Sequence, residues 1–243
     1  MQDLPWASPL DMEFIGMTSD SMSFKKLKEG EVEIPIGDHV GAFGVQRRHD
    51  IHKGVDLYAP VGTLVSAVED GTIIINRPWT GEKSGCSWWE ETDAVLICGE
   101  SGIVAYGEIE IFGDIRPGLK VKKGQHLGFV KRVLKEDKGR PTSMLHIQMY
   151  INEPAKVGTW ELGSPKPENL IDPTFYLVTW GSSSFLDKTV SILNENSDMN
   201  LEIVRLIKKR NKMELKVKNR ILESEKMSFF MKAILFKELG GNK

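Results

Sequence analysis

The residues best able to do chemistry lie in two short stretches, HKGVD at positions 52–56 and MLHIQ at positions 144–148. His52 and Asp56 are four apart. On an extended segment that spacing puts both side chains on one face. A helix would align them too, but Gly54 and the β-rich surroundings disfavour it. His146 falls on an alternating segment, with Met144, His146, Gln148 and Tyr150 facing one way and Leu145, Ile147 and Met149 the other. Two imidazoles and one carboxylate suit a catalytic-type zinc site that leaves its fourth position to water. Taken alone, a histidine near an aspartate is more often a surface hydrogen bond, so the spacing leaves both readings open.

The surrounding elements must position these residues, and they read as antiparallel β. LVSAVEDGTIIIN has two apolar runs around Asp70-Gly71, a hairpin signal. AVLICGESGIVAYGEIEI repeats it with a turn from Gly99 to Gly102, and LKVKKGQHLGFV does so around Lys123-Gly124. Many short strands with glycine turns predict a sandwich-like, mainly β domain over residues 31–178, after an N-terminal extension over 1–30. Two long loops, 78–93 and 152–169, read as functional walls or tolerated insertions.

The composition changes after Trp180. GSSSF opens a linker over 179–197, and residues 198–243 carry helical spacing at Ile203, Ile207, Ile221, Met227, Phe230 and Ile234. Asp198 reads as an N-cap and Gly240 as a stop. From Thr179 onward the chain has 13 Lys+Arg against 8 Asp+Glu, so this α-helical tail is basic by about 5 charges. A solvated lysine face over an apolar stripe is preferred to a nucleic-acid or membrane surface. The stripe needs a partner, either the β domain or another chain of an assembly.

A net charge of -2 gives no global pull toward nucleic acid or membrane. No stretch approaches a membrane span of about 20 apolar residues. The first residues show no signal peptide, which predicts a protein made in the cytoplasm. Cys86 and Cys98 form no CxxC pair, which excludes a cysteine-rich zinc site and favours two thiols over one disulfide.

The ordered series of motifs resembles the M23 family of zinc metallopeptidases, the LytM/lysostaphin type. HKGVDLYAPVGTLVSAVEDG is similar to its His-x-Gly-x-Asp stretch with the following Ala-Pro-x-Gly-Thr-x-Val and Asp-Gly. VKKGQHLGFV, GRPTSMLHIQMY and PENLIDPTFYL resemble its later segments in the same order. The resemblance covers about residues 40–177 and implies an M23-like antiparallel β fold, with Zn2+ held by His52, Asp56 and His146. The family also has two histidines that are not ligands and that assist the zinc water and the transition state. Here their positions are Glu108, in AYGEIE, and Met144, in MLH. Methionine can neither take nor give a proton, whereas a glutamate can act as a base.

This implies a zinc-binding, degenerate M23-like domain used in peptidoglycan or peptide recognition, or as a scaffolding part. The alternative is an active zinc endopeptidase cutting peptidoglycan cross-bridges or stems with Glu108 as general base. A carrier-type β domain is a third reading, and the missing lysine-centred turn argues against it. Family enzymes act outside the cytoplasm, so the absent signal peptide suggests a phage lysin or virion part, with the tail docking to an assembly. Arg47, His49, Trp88 and Trp89 are candidate substrate contacts. Against each stands a plainer expectation: a turn-closing arginine, a loop histidine, and tryptophans buried under the long loop. His39 and His126 read as turn and strand-surface residues.

Overall fold

The computed structural model describes residues 6–137, 139–151, 159–174 and 176–177. The linker and helical tail expected over 179–243 lie outside the described residues. The chain divides into two units, Met1–Trp180 and Gly181–Lys243, and all the described residues belong to the first.

Eleven strands make up the described fold: β1 (Glu13–Thr18), β2 (Glu31–Pro35), β3 (Val55–Tyr58), β4 (Leu64–Ser66), β5 (Gly71–Thr80), β6 (Thr92–Gly99), β7 (Ile103–Ile111), β8 (Lys120–Val121), β9 (His126–Val130), β10 (Met144–Tyr150) and β11 (Leu170–Ile171). The turn spacing suggests a sandwich. Instead nine strands are hydrogen-bonded into one antiparallel sheet, running β11-β10-β7-β6-β5-β8, with β3 on β10, β9 on β7 and β4 on β9. β1 and β2 form a separate parallel ribbon.

Of the three expected hairpins, one forms as read. β6 and β7 pair directly, and the Gly99 N–H donates to the Gly102 carbonyl at 2.8 Å. Gly102 has φ +129°, and a Cβ there would meet the Tyr150 carbonyl oxygen at 2.4 Å, so the turn needs its glycine. The other two are corrected. β4 pairs with β9 and β5 with β6 and β8, so Asp70-Gly71 closes no hairpin, and neither does Lys123-Gly124. The two turns bind each other: Asp70 accepts from the Lys123 N–H at 2.8 Å and from Lys122 Nζ at 2.7 Å. Both segments do turn, but long-range pairing chooses the strand partners.

β10 is buried along all seven residues because β3, β7 and β11 flank it. Residues 6–30 pack on the domain rather than standing off it. Trp6 is buried, donates to Ser101 Oγ at 3.0 Å and packs on the Tyr176 ring. No helix among the described residues is long and apolar enough to cross a membrane.

Candidate metal centre

One rung of the sheet builds the site. Asp56 on β3 lies opposite His146 on β10, His146 opposite Gly107 on β7, Gly107 opposite Ala94 on β6, and Ala94 opposite Arg77 on β5. Side chains along one rung point to one face. His52 enters from the segment just before β3.

His52, Asp56 and His146 each offer one ligand atom, and these atoms all lie within 4.8 Å of one another. His52 Nε2 is 3.1 Å from Asp56 Oδ1 and 3.2 Å from His146 Nδ1, and His146 Nδ1 is 2.8 Å from Asp56 Oδ1. The partner of the outer His52 nitrogen fixes that ring's tautomer. His52 Nδ1 faces the Ala42 carbonyl at 2.9 Å, and a carbonyl can only accept, so Nδ1 carries the hydrogen and Nε2 presents a lone pair. His146 Nε2 lies 3.3 Å from Gln148 Oε1, and its inner Nδ1 faces Asp56 and His52. Two imidazole nitrogens and a carboxylate thus converge on one point. The residues fit a zinc ion by donor type and convergence, and the His52 tautomer presents Nε2 to it.

The segment just before the ligands supports them, and no motif in the sequence marks that role. The Ala42 carbonyl holds His52, the Gly41 carbonyl accepts the Asp56 N–H at 2.9 Å, and the Val40 carbonyl accepts from Arg47. Two glycines are required by space. A Cβ on Gly54 would stand 2.3 Å from the Ile147 carbonyl and 2.7 Å from the His146 ring. A Cβ on Gly107 would stand 2.6 Å from Trp79 Nε1. Trp79 lies against His146, with ring centroids 5.5 Å apart, and carries Arg77 over its ring at 5.3 Å. Sequence reasoning places Trp79 in a loop and misses it. It sits at an irregularity between Pro78 and Thr80 on β5, which no local signal marks.

Arg47 pairs with Asp56 Oδ2, which ties it to the converging residues. Burial opposes the charge on Asp56, but His52 and Arg47 outweigh it and hold the carboxyl well below its usual range. Burial lowers the His52 pKa, which keeps the ring neutral as a ligand must be.

Glu108 is the unusual residue. Asp93 pairs with Ile109 and Ala94 with Gly107, which leaves Glu108 unpaired on β7 as a bulge. It has φ 66°, the left-handed region, and is the one non-glycine so placed among the described residues. Its side chain is buried, and Oε2 has no hydrogen-bond partner. Burial first, then the charge of Asp56, push its pKa well above normal, against Arg47. Glu108 is not one of the three converging residues. Met144 is buried on β10 two residues before His146, opposite Tyr58.

The remaining candidates lie elsewhere. His49 is exposed in a turn closed by Arg47 N–H to the Asp50 carbonyl at 2.8 Å. Trp88 and Trp89 line a groove with Leu134, Lys135 and Glu136 that contains no ligand residue. Trp88 is 64% exposed, which corrects the expectation that both tryptophans are buried under the loop. His39 is buried and accepts from the Gly41 N–H at 2.9 Å, and His126 is a surface strand residue beside Ser66. Cys86 and Cys98 are both free thiols.

Residues 50–157 match the family model described as Peptidase family M23. A comparison with curated proteins found no match. Among solved structures, the catalytic domain of lysostaphin from Staphylococcus simulans is 19% identical, with 56% of this chain and 88% of that one covered and a TM-score of 0.38. A peptidase M23 from Pseudomonas aeruginosa is 15% identical, with 72% of this chain covered and a TM-score of 0.38; the chain spans 51% of that protein's length. The catalytic domain of a prophage-encoded M23 protein from Enterococcus faecalis is 20% identical, with 54% and 85% covered and a TM-score of 0.37.

Proposed function

We propose that this β domain, whose fold is that of the M23 peptidase family, binds one zinc ion through His52 Nε2, Asp56 and His146 Nδ1 and recognises cell-wall peptide, with little or no cleavage. The observation that carries the metal reading is the convergence of two imidazole nitrogens on a buried carboxylate oxygen. When bound, zinc acts as a Lewis acid and lowers the pKa of water in its open position to about 7. The chain's own residues orient the ligands: the Ala42 carbonyl sets the His52 tautomer, Gln148 lies against the His146 ring, Arg47 neutralises the outer oxygen of Asp56, and Gly54 makes room for His146. Peptide cleavage also needs a group to take a proton and a group to protonate the leaving amine. Met144 supplies neither. Losing one such group typically costs about 10²–10⁴-fold in rate.

The test is purified peptidoglycan given to the zinc-loaded protein beside an active M23 enzyme. Sedimentation with the cell wall and weak release of new amino groups are expected. Turnover matching the active enzyme would reject the recognition reading. In the same proposal residues 198–243 serve assembly, for instance in a phage particle. Helical spacing and a basic balance support this, and truncation after Trp180 should change the assembly state.

A second reading is favoured by one observation, the unpartnered Glu108 Oε2 on its strained bulge. Strain of this kind persists where the surroundings enforce it, often at functional sites. In that reading Glu108 Oε2 takes the proton from the attacking water, and the protein is an endopeptidase. Cleavage abolished by Glu108→Gln with zinc retained would establish it.

A further inference from the structure

We propose that the groove between the 81–91 loop and residues 132–136 is a saccharide-binding shelf. Its lining is Trp88, Trp89, Leu134, Lys135 and Glu136, and its volume is ≈ 260 Å³. That open space admits a sugar ring with its hydroxyls. The two indoles do not stack on each other. Their centroids are 6.3 Å apart at 66°, which makes a corner with Trp88 64% exposed. The corner is held ready. Trp89 bridges to Leu134, the Glu90 N–H donates to the Val133 carbonyl at 2.9 Å, and Lys135 Nζ donates to the Ser87 carbonyl at 2.8 Å. The turn from Gly81 to Cys86 is closed by backbone bonds of its own. Loop ordering is therefore done before a ligand arrives.

The lining selects the ligand. Its apolar part is two indoles and one leucine, too little for a stable protein interface, which buries about 800 Å² per partner. Charged Lys135 and Glu136 stand beside the indoles, so a wholly apolar ligand would leave charges facing it. A pyranose ring offers what this corner takes: an apolar C–H face for the indole of Trp88 and an edge of hydroxyls for the carboxylate of Glu136. The shelf does not depend on the metal reading. The choice of an N-acetylhexosamine glycan as probe rests on the cell-wall reading of the domain.

The test is titration of the full chain with N-acetylglucosamine tetramer, followed by calorimetry and by backbone NMR shifts. A tripeptide of alanine serves as the second probe. Binding of the glycan with shifts at residues 81–91 and 132–136 is expected. Trp88→Ala should weaken it by about tenfold or more, and Trp88→Phe should restore part of the loss. No glycan binding up to about 10 mM, binding unchanged in Trp88→Ala, or the peptide binding there in place of the glycan would each overturn the shelf. Zinc content of the parent and of Trp88→Ala, and glycan binding by His146→Ala, are measured alongside. A parent that holds zinc but binds no glycan rejects the shelf alone, and one that binds glycan but holds no zinc rejects the metal centre alone.

Discussion

Asp56 and His146 face each other across the β3–β10 ladder, with His146 Nδ1 2.8 Å from Asp56 Oδ1. This cross-strand pair fixes most of the site. The register that buries Val55, Leu57, Leu145 and Ile147 also sets Asp56 and His146 side by side. A one-residue slip of either strand would turn its own member of the pair to the opposite face and bring apolar side chains to the site in its place, so core packing and site geometry hold the same register.

Gly54→Ala tests the space behind His146. The added methyl would meet the Ile147 carbonyl and the His146 ring well inside contact distance. A backbone carbonyl cannot swing away, so the ring and β10 must shift. A loss of about 1–3 kcal/mol in stability is expected, with weaker zinc binding. Thermal unfolding with and without zinc measures both.

Arg47→Ala removes the cation from the outer oxygen of Asp56. The carboxyl then loses its orientation and part of the charge that keeps it ionised. Zinc affinity should fall by about 10–100-fold, the usual effect of losing a group that orients a metal ligand. Competition against a chromophoric chelator reads it. An unchanged affinity would return Arg47 to the role of substrate contact.

The three converging residues were legible in the sequence through the ordered series of motifs that resembles the M23 family; ligand types and spacing alone left a surface hydrogen bond open as well. His52, Asp56 and His146 stand in HKGVD and MLHIQ, two of the stretches that carry that resemblance. Which strand pairs with which was not legible. Asp70-Gly71 looks like a hairpin turn, but β4 takes the distant β9 as its partner while β5 pairs with β6. The places of Trp79 and Glu108 were hidden for a related reason. Both sit at irregularities of pairing, which depend on the neighbouring strand rather than on their own segment. The Gly41 and Ala42 carbonyls were hidden because backbone acceptors leave no residue signature.

Glu108→Gly tests the bulge. An L-residue in the left-handed region costs about 1–2 kcal/mol, and glycine removes that cost together with a buried unpartnered carboxyl oxygen. The metal-free glycine variant should be more stable by about 1 kcal/mol. A destabilised variant would mean that the Glu108 side chain packs better than its unpartnered oxygen suggests.

Glu108→Gln tests its titration. The carboxyl pKa is raised in the folded metal-free protein, chiefly by burial and then by Asp56. A raised pKa means that this group's contribution is fully present below the ordinary value of 4.5 and is lost as pH rises toward the folded one. The advantage of Glu108→Gln over the parent should therefore grow between about pH 5 and about pH 8. Denaturant unfolding of both metal-free proteins at the two pH values gives the sign.

His146→Ala removes one of three ligands. Zinc should be lost on dialysis, while the β domain stays folded because β10 keeps its apolar face. Metal content per chain and circular dichroism are the paired readouts. A folded variant that keeps a full equivalent of zinc would place the metal elsewhere.

Whether His52, Asp56 and His146 hold a zinc ion is tested most directly by diffraction from crystals of the zinc-loaded protein, recorded on both sides of the zinc absorption edge. One strong anomalous peak per chain is expected, about 2.0–2.2 Å from His52 Nε2, an Asp56 carboxylate oxygen and His146 Nδ1. No peak at that point, or a peak held by other side chains while these three stay bonded to one another, would contradict the zinc centre.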